Sequence, residues 1–104
     1  MVEVNLKEYV KVLIDGTNSN KYEWEQMGTE KYRLLMEKGT IVLEKIRTAP
    51  TVYFIISFYN TTALIYSTTI FHGKPLYDDY LELMNTIISK NNEKINSEIS
   101  ELFS

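Results

Sequence analysis

The sequence predicts an α+β domain in which an antiparallel β-sheet packs against an N-terminal and a C-terminal helix. Three observations support this fold class: an amphipathic repeat opens the chain, β-branched and aromatic residues fill its middle, and a second amphipathic repeat follows. The chain has 104 residues, a length that suits a single domain over 1–104 with a core of its own. We therefore expect helices on at least one face of one sheet.

The first predicted element is an amphipathic helix over residues 2–14. Its apolar positions follow the i, i+3, i+4, i+7 spacing of one helix face, and charged residues fill the other side. The pair Asp15-Gly16 predicts the end of this helix, because glycine and a following polar loop are typical of helix C-termini.

A short acidic and aromatic segment, residues 21–27, comes next and holds the only tryptophan. As a strand it would place Tyr22 and Trp24 on one face and the two carboxylates of Glu23 and Glu25 on the other. Such a strand would present negative charge to a basic partner. The same pattern also fits an edge strand whose tryptophan fills the core and whose glutamates are only solvated.

Residues 28–48 fit two structures. Their apolar residues recur at helical spacing, but residues 37–40 also fit a hairpin turn between strands at 32–36 and 40–47. Gly39 inside a helix would cost about 1 kcal/mol relative to alanine. We favour strands from about residue 40 onward.

The clearest strands lie over residues 51–71, with a turn at 60–61. Both faces of the returning strand carry apolar residues, so one face is expected to meet the helices, and the other is either partly covered or joined by a partner. Alternation places these residues in two sets, with Leu64, Tyr66 and Ile70 on one face and Ala63, Ile65 and Phe71 on the other.

Residues 76–90 predict the second helix, with Asp78 and Asp79 in the first turn, where the helix dipole favours acids. A seven-residue apolar repeat would extend this helix into a helical or frayed tail over 93–104. The tail would pack on its own domain or against a second copy. We favour packing on its own domain or fraying over a second copy, because polar residues occupy the alternate positions of the repeat. The repeat consists of Leu81, Ile88, Ile95 and Leu102.

Composition argues against most catalytic and nucleic-acid functions. There is no cysteine and one histidine, His72, so zinc sites of the His or Cys type are not expected. Glycine-rich phosphate loops and clustered acid–base groups are absent from the sequence, which predicts a protein that is not an enzyme and needs no cofactor or metal. The net charge of −3 makes direct nucleic-acid binding an unfavourable interpretation. The predicted location is cytoplasmic, without a membrane span.

The order of elements resembles the staphylococcal-type uracil-DNA glycosylase inhibitors, which are DNA-mimicking proteins. The similarity covers most of the chain to about residue 92. The features that carry it are Leu6-Lys7-Glu8-Tyr9 with Leu13, the pair Trp24-Glu25, the strand 52–59, the return 63–66, and Tyr80-Leu81 with Asn85-Thr86-Ile87.

This resemblance implies a non-catalytic inhibitor whose acidic edge strand enters the DNA-binding cleft of a uracil-DNA glycosylase or a similar DNA-binding protein. Glu25 would be the central phosphate mimic, and an apolar pocket would receive the side chain that the enzyme inserts into DNA. The partner-binding residues implied in this way are Glu23, Glu25, Gln26, Met27, Glu30, Leu35 and Met36. Among them, Met27, Leu35 and Met36 would line the pocket. The alternative is a small self-associating interaction domain without DNA mimicry, so a monomer and a homodimer both stay open.

Overall fold

The computed structural model describes residues 2–104. The elements in chain order are α1 (Leu6–Asn18), β1 (Glu25–Gly28), β2 (Lys31–Met36), β3 (Gly39–Thr48), β4 (Thr51–Asn60), β5 (Leu64–Phe71) and α2 (Tyr77–Glu101). The strands form one antiparallel sheet in the order β1-β2-β3-β4-β5, so each strand pairs with its neighbours in sequence. The predicted α+β class, with an N-terminal and a C-terminal helix beside an antiparallel sheet, is confirmed.

Helix α1 begins and ends later than the sequence predicts. Its first turn is capped by the side chain of Asn5, which accepts from the backbone N–H of Glu8 at 3.4 Å. Gly16 lies inside the helix. Glycine is needed there because the ring of Tyr22 lies where a Cβ atom would clash. The predicted end at Asp15-Gly16 is therefore wrong: this glycine serves a side-chain contact and not a helix terminus.

Residues 28–48 form the hairpin and not the helix. Strands β2 and β3 pair from Lys31 opposite Glu44 to Met36 opposite Gly39. A Cβ atom at Gly39 would collide with the carbonyl oxygen of Tyr59 in β4. Glycine is thus needed here because two backbones approach closely, which is a requirement of the sheet.

The turn between β4 and β5 is built by the side chain of Asn60, whose Oδ1 accepts from the backbone N–H of Ala63 at 2.8 Å. Beyond the turn the register shifts, so that Leu64 pairs with Tyr59 but Tyr66 pairs with Phe58. The extra residue is a β-bulge. Leu64 consequently lies on the opposite face from Tyr66, and the predicted grouping of these two side chains is wrong.

Both helices pack on one face of the sheet, and the hydrophobic core lies between these layers. Fourteen buried apolar residues form it, eight from the helices and their flanks and six from the strands. The strand members are Tyr32, Leu34, Leu43, Phe54, Ile56 and Ile70. The second face of the sheet, which we call the outer face, is covered by no element of residues 2–104.

Helix α2 continues without a break through Asn91 and Asn92 for 25 residues, a length of about 37 Å. Its first half is core, but every residue from Asn92 onward is exposed. Within the repeat Ile95 is 40% exposed and Leu102 80%. The end of α2 therefore projects from the domain, whose longest dimension is 57 Å. Neither helix of residues 2–104 has both the length and the apolar run needed to cross a bilayer.

Candidate functional site

The acidic and aromatic segment has the predicted alternation of burial, but only its end is a strand. Tyr22 and Trp24 are half-buried, whereas Glu23 and Glu25 are exposed, and β1 begins only at Glu25. The Trp24 indole Nε1–H donates to Thr17 Oγ1 at 2.9 Å. This bond fixes the tryptophan against α1 and so sets the direction in which the chain enters β1.

Glu25, the implied central phosphate mimic, is paired within the chain. Arg33 lies opposite it on β2, and its Nε and Nη2 atoms donate to the two carboxylate oxygens at 3.1 Å each. These hydrogen bonds, together with the charge of Arg33, lower the pKa of Glu25 below its ordinary value of 4.5. A carboxylate held in this fork presents little net charge to a partner.

Glu30 is paired as well. Arg47 Nε donates to one carboxylate oxygen at 2.6 Å, and Lys45 Nζ lies 3.9 Å from the other. The hydrogen bond from Arg47 is the main reason that the pKa of Glu30 is lowered. These contacts join the β1–β2 turn to β3. Of the three glutamates among the implied partner-binding residues, only Glu23 takes part in no ion pair of residues 2–104.

Gln26 joins β1 to α2. Its Oε1 accepts from Asn91 Nδ2 at 3.2 Å, and its Nε2 donates to the carbonyl of Gly28 at 2.9 Å. Both polar atoms of the Gln26 amide therefore have partners within the chain, and these hydrogen bonds hold β1 in place.

The three residues implied to line one apolar pocket lie on two faces of the sheet. Met27 and Leu35 are on the outer face, where they are 48% and 58% exposed. Met36 lies at the end of β2 and faces α1 across an apolar cleft. The structure therefore does not bring these three residues together.

The apolar cleft is a concave surface lined by aliphatic and aromatic side chains. It measures about 490 Å³ and lies between α1 and the ends of β3, β4 and β5. Tyr9 and Phe58 meet inside it edge to face, with ring centroids 6.1 Å apart. Val12 on α1 is 50% exposed and Ile65 on the β5 bulge 63%, so both rims are apolar.

Two features build this cleft, and only one of them could have been found in the sequence. Tyr9, Val10, Val12 and Leu13 form an apolar stripe on α1 that is wider than packing against one neighbour requires. Ile65 is the bulged residue, and no alternation rule predicts that its side chain turns toward the cleft. The first signal is in the sequence; the second exists only once the register is known.

A second cleft of about 320 Å³ lies between the segment before β1 and α2. Glu23 and Trp24 line it on one side, and Lys90 and Lys94 on the other. Its charges are of both signs, so it has no concentrated negative field.

His72, the only histidine of the sequence, is exposed and packs edge-on against the ring of Tyr77, with 5.0 Å between the ring centroids.

The fold and these surfaces define an α+β domain with an apolar cleft, and within residues 2–104 no three His, Cys, Asp or Glu side chains are grouped so that they could hold a metal ion. Comparison of the chain with family models, curated proteins and solved structures found no match in any of the three.

Proposed function

We propose that the chain is a non-catalytic domain that binds a protein partner through the apolar cleft. The observation that carries this proposal is the exposure of apolar side chains on both rims, Val12 at 50% and Ile65 at 63%. A concave surface of contiguous, exposed apolar side chains is typical of binding sites. The partner is expected to insert an apolar anchor, such as a leucine or an aromatic residue, which would gain about 1.5–3 kcal/mol on full burial.

The cleft floor supports a receptor role. Phe58 and Ile41 pack on the core from below, while Tyr9 closes one side. These residues belong to α1, β3 and β4, which the core holds in place. A preformed cleft spares the ordering cost that a flexible surface would impose on binding.

The test compares two lysine substitutions at exposed apolar sites. Ile65→Lys puts a charge on the rim of the cleft, whereas Leu35→Lys puts it on the outer face at a side chain of similar exposure, 58% against 63%. Partners captured from extract by the unaltered chain are identified by mass spectrometry, and the affinity of each purified partner is then measured. We expect Ile65→Lys to weaken binding about tenfold or more, and Leu35→Lys to leave it unchanged. Equal effects of the two substitutions would refute a role for the cleft.

A second candidate is inhibition of uracil-DNA glycosylase by DNA mimicry. It is favoured by β1, an edge strand whose four residues are all exposed, and by the unpaired Glu23 beside it. The ion pairs of Glu25 and Glu30 weigh against it, because a phosphate mimic must offer its charge to the enzyme.

Uracil excision measured with the pure chain in excess tests this candidate. If DNA mimicry operates, excision stops, and Glu23→Gln restores it because the substitution removes the unpaired carboxylate. Excision that proceeds unchanged would eliminate the inhibitor function and leave the cleft proposal untouched.

A further inference from the structure

Strand β5 is an edge of the sheet, and its regular part beyond the β-bulge at Ile65 is unprotected. It is eight residues long, pairs only with β4, and contains no charged residue and no proline. No lysine, arginine, aspartate or glutamate occurs anywhere over residues 48–73. Edge strands of soluble proteins are usually blunted by charge, proline, shortness or bulges. The opposite edge, β1, meets that rule, because it has four residues, a register shift and Glu25.

The direction of the free backbone groups follows from one hydrogen bond. The N–H of His72 donates to the carbonyl of Val52 at 3.2 Å, which makes positions 72 and 52 a hydrogen-bonded pair. Pairs of this kind alternate along an antiparallel ladder. The backbone N–H and C=O groups of Ser67, Thr69 and Phe71 therefore point away from β4, toward the open edge.

The side chains agree with this assignment. Ser57 and Ser67 form a directly opposite pair of the closer, non-hydrogen-bonded kind, and their Oγ atoms are 2.9 Å apart. Ser67, Thr69 and Phe71 are all exposed. The edge is thus open to another strand along its regular part, beyond the bulge.

We propose that two copies of the chain associate through β5, running antiparallel about a two-fold axis at Thr69. The outward-facing backbone groups are symmetric about this residue, so Thr69 would pair with itself and Ser67 of each copy with Phe71 of the other. The carbonyl of Phe71 already accepts from Lys74 N–H at 3.1 Å, and its second lone pair remains for the added strand. The two five-stranded sheets would then be continuous.

A second copy fits this edge because an uncharged strand can be placed against itself. A two-fold axis brings identical residues together, and any charge near the axis would face its own kind. Thr69 has no such penalty, and the aromatic ring of Phe71 would lie beside the small side chain of Ser67. The inference does not rest on the apolar cleft. An unrelated extended segment is the competing occupant, and it would leave the pure chain monomeric.

Light scattering on the pure chain over a wide concentration range tests the proposal. The mass is expected to rise from 12.2 kDa toward roughly twice that value as concentration increases. Thr69→Lys, which sets two ammonium groups against each other at the axis, should raise the dissociation constant about tenfold or more. Thr61→Lys is the matched control, since it adds the same charge in the exposed β4–β5 turn and should leave the dissociation constant unchanged.

Amide hydrogen exchange provides a readout that does not depend on a variant. The amides of Ser67 and Thr69 should gain protection in step with the mass. A mass of 12.2 kDa at every concentration would overturn the proposal. So would a dimer that Thr69→Lys leaves intact, a dimer lost only on substitution of Ile95 and Leu102 in α2, or edge amides that exchange freely in the dimer.

Discussion

Replacing Thr17 by valine tests whether the bond to the lone tryptophan holds the entry to β1. Thr17 is 1% exposed, and its hydroxyl has two roles: it donates to the carbonyl of Leu13 at 2.6 Å and accepts from Trp24 Nε1–H at 2.9 Å. Valine has nearly the same shape, so it removes both bonds without opening a cavity. What remains is an indole N–H in a half-buried position with no acceptor.

The expected cost follows from that unpaired donor. Leaving a buried donor unsatisfied costs about 1–3 kcal/mol, whereas the carbonyl of Leu13 belongs to the helix ladder and loses little. The sum is a loss of about 1–3 kcal/mol in the free energy of unfolding, a large fraction of the roughly 5–15 kcal/mol that stabilises a domain.

Urea unfolding followed by circular dichroism measures the loss, and Trp24→Phe isolates its cause. The chain without an indole has no donor at this position, so Thr17→Val in the Trp24→Phe background should cost about 1–3 kcal/mol less than in the natural sequence. Thr17→Ser keeps the hydroxyl and loses only a methyl group, worth about 0.8 kcal/mol. If Thr17→Val costs the same in both backgrounds, the indole bond contributes nothing and the reasoning is refuted.

Three further outcomes are expected. Leu43→Ala should destabilise the fold by about 2–5 kcal/mol in urea unfolding, because this side chain is 0% exposed at the centre of the sheet. Gly39→Ala should lower the thermal midpoint strongly, since its Cβ would meet the carbonyl of the neighbouring strand, while Gly28→Ala, whose nearest neighbour would be 3.6 Å away, should leave the midpoint nearly unchanged. In the folded chain Arg47 lowers the pKa of Glu30 below its ordinary value of 4.5. The stability that this ion pair contributes is therefore fully present above pH 4.5 and is lost as the pH falls through the lowered pKa. The free energy of unfolding of Glu30→Gln should consequently vary less with acid pH than that of the natural chain.

The fold class could be predicted because its signals are local. Each of these elements can be predicted from its own residues: α1 and α2 from their apolar spacing, and β4 from its run of β-branched and aromatic residues. The hairpin of β2 and β3 could not be settled in this way. Its deciding residue, Gly39, is required by the carbonyl of Tyr59, which lies 20 residues further along the chain.

The candidate site was harder to predict for the same reason. Alternation correctly separates Trp24 from Glu25, but no spacing rule shows that Arg33 lies opposite this glutamate on the next strand. Pairing a carboxylate with its cross-strand cation depends on register, and register depends on the whole sheet. The inhibitor function inferred from the resemblance stays a prediction. The sequence shows how many glutamates the segment has, but it does not show which cations pair with them in the fold.

The projecting end of α2 offers an attachment point that leaves the domain undisturbed. Residues 95–104 are exposed throughout and contribute nothing to the core. A fluorophore or an affinity tag joined there would stand clear of both the apolar cleft and the β5 edge. Labelled chains could then be mixed in pairs, so that energy transfer between two dyes reports association directly at nanomolar concentrations.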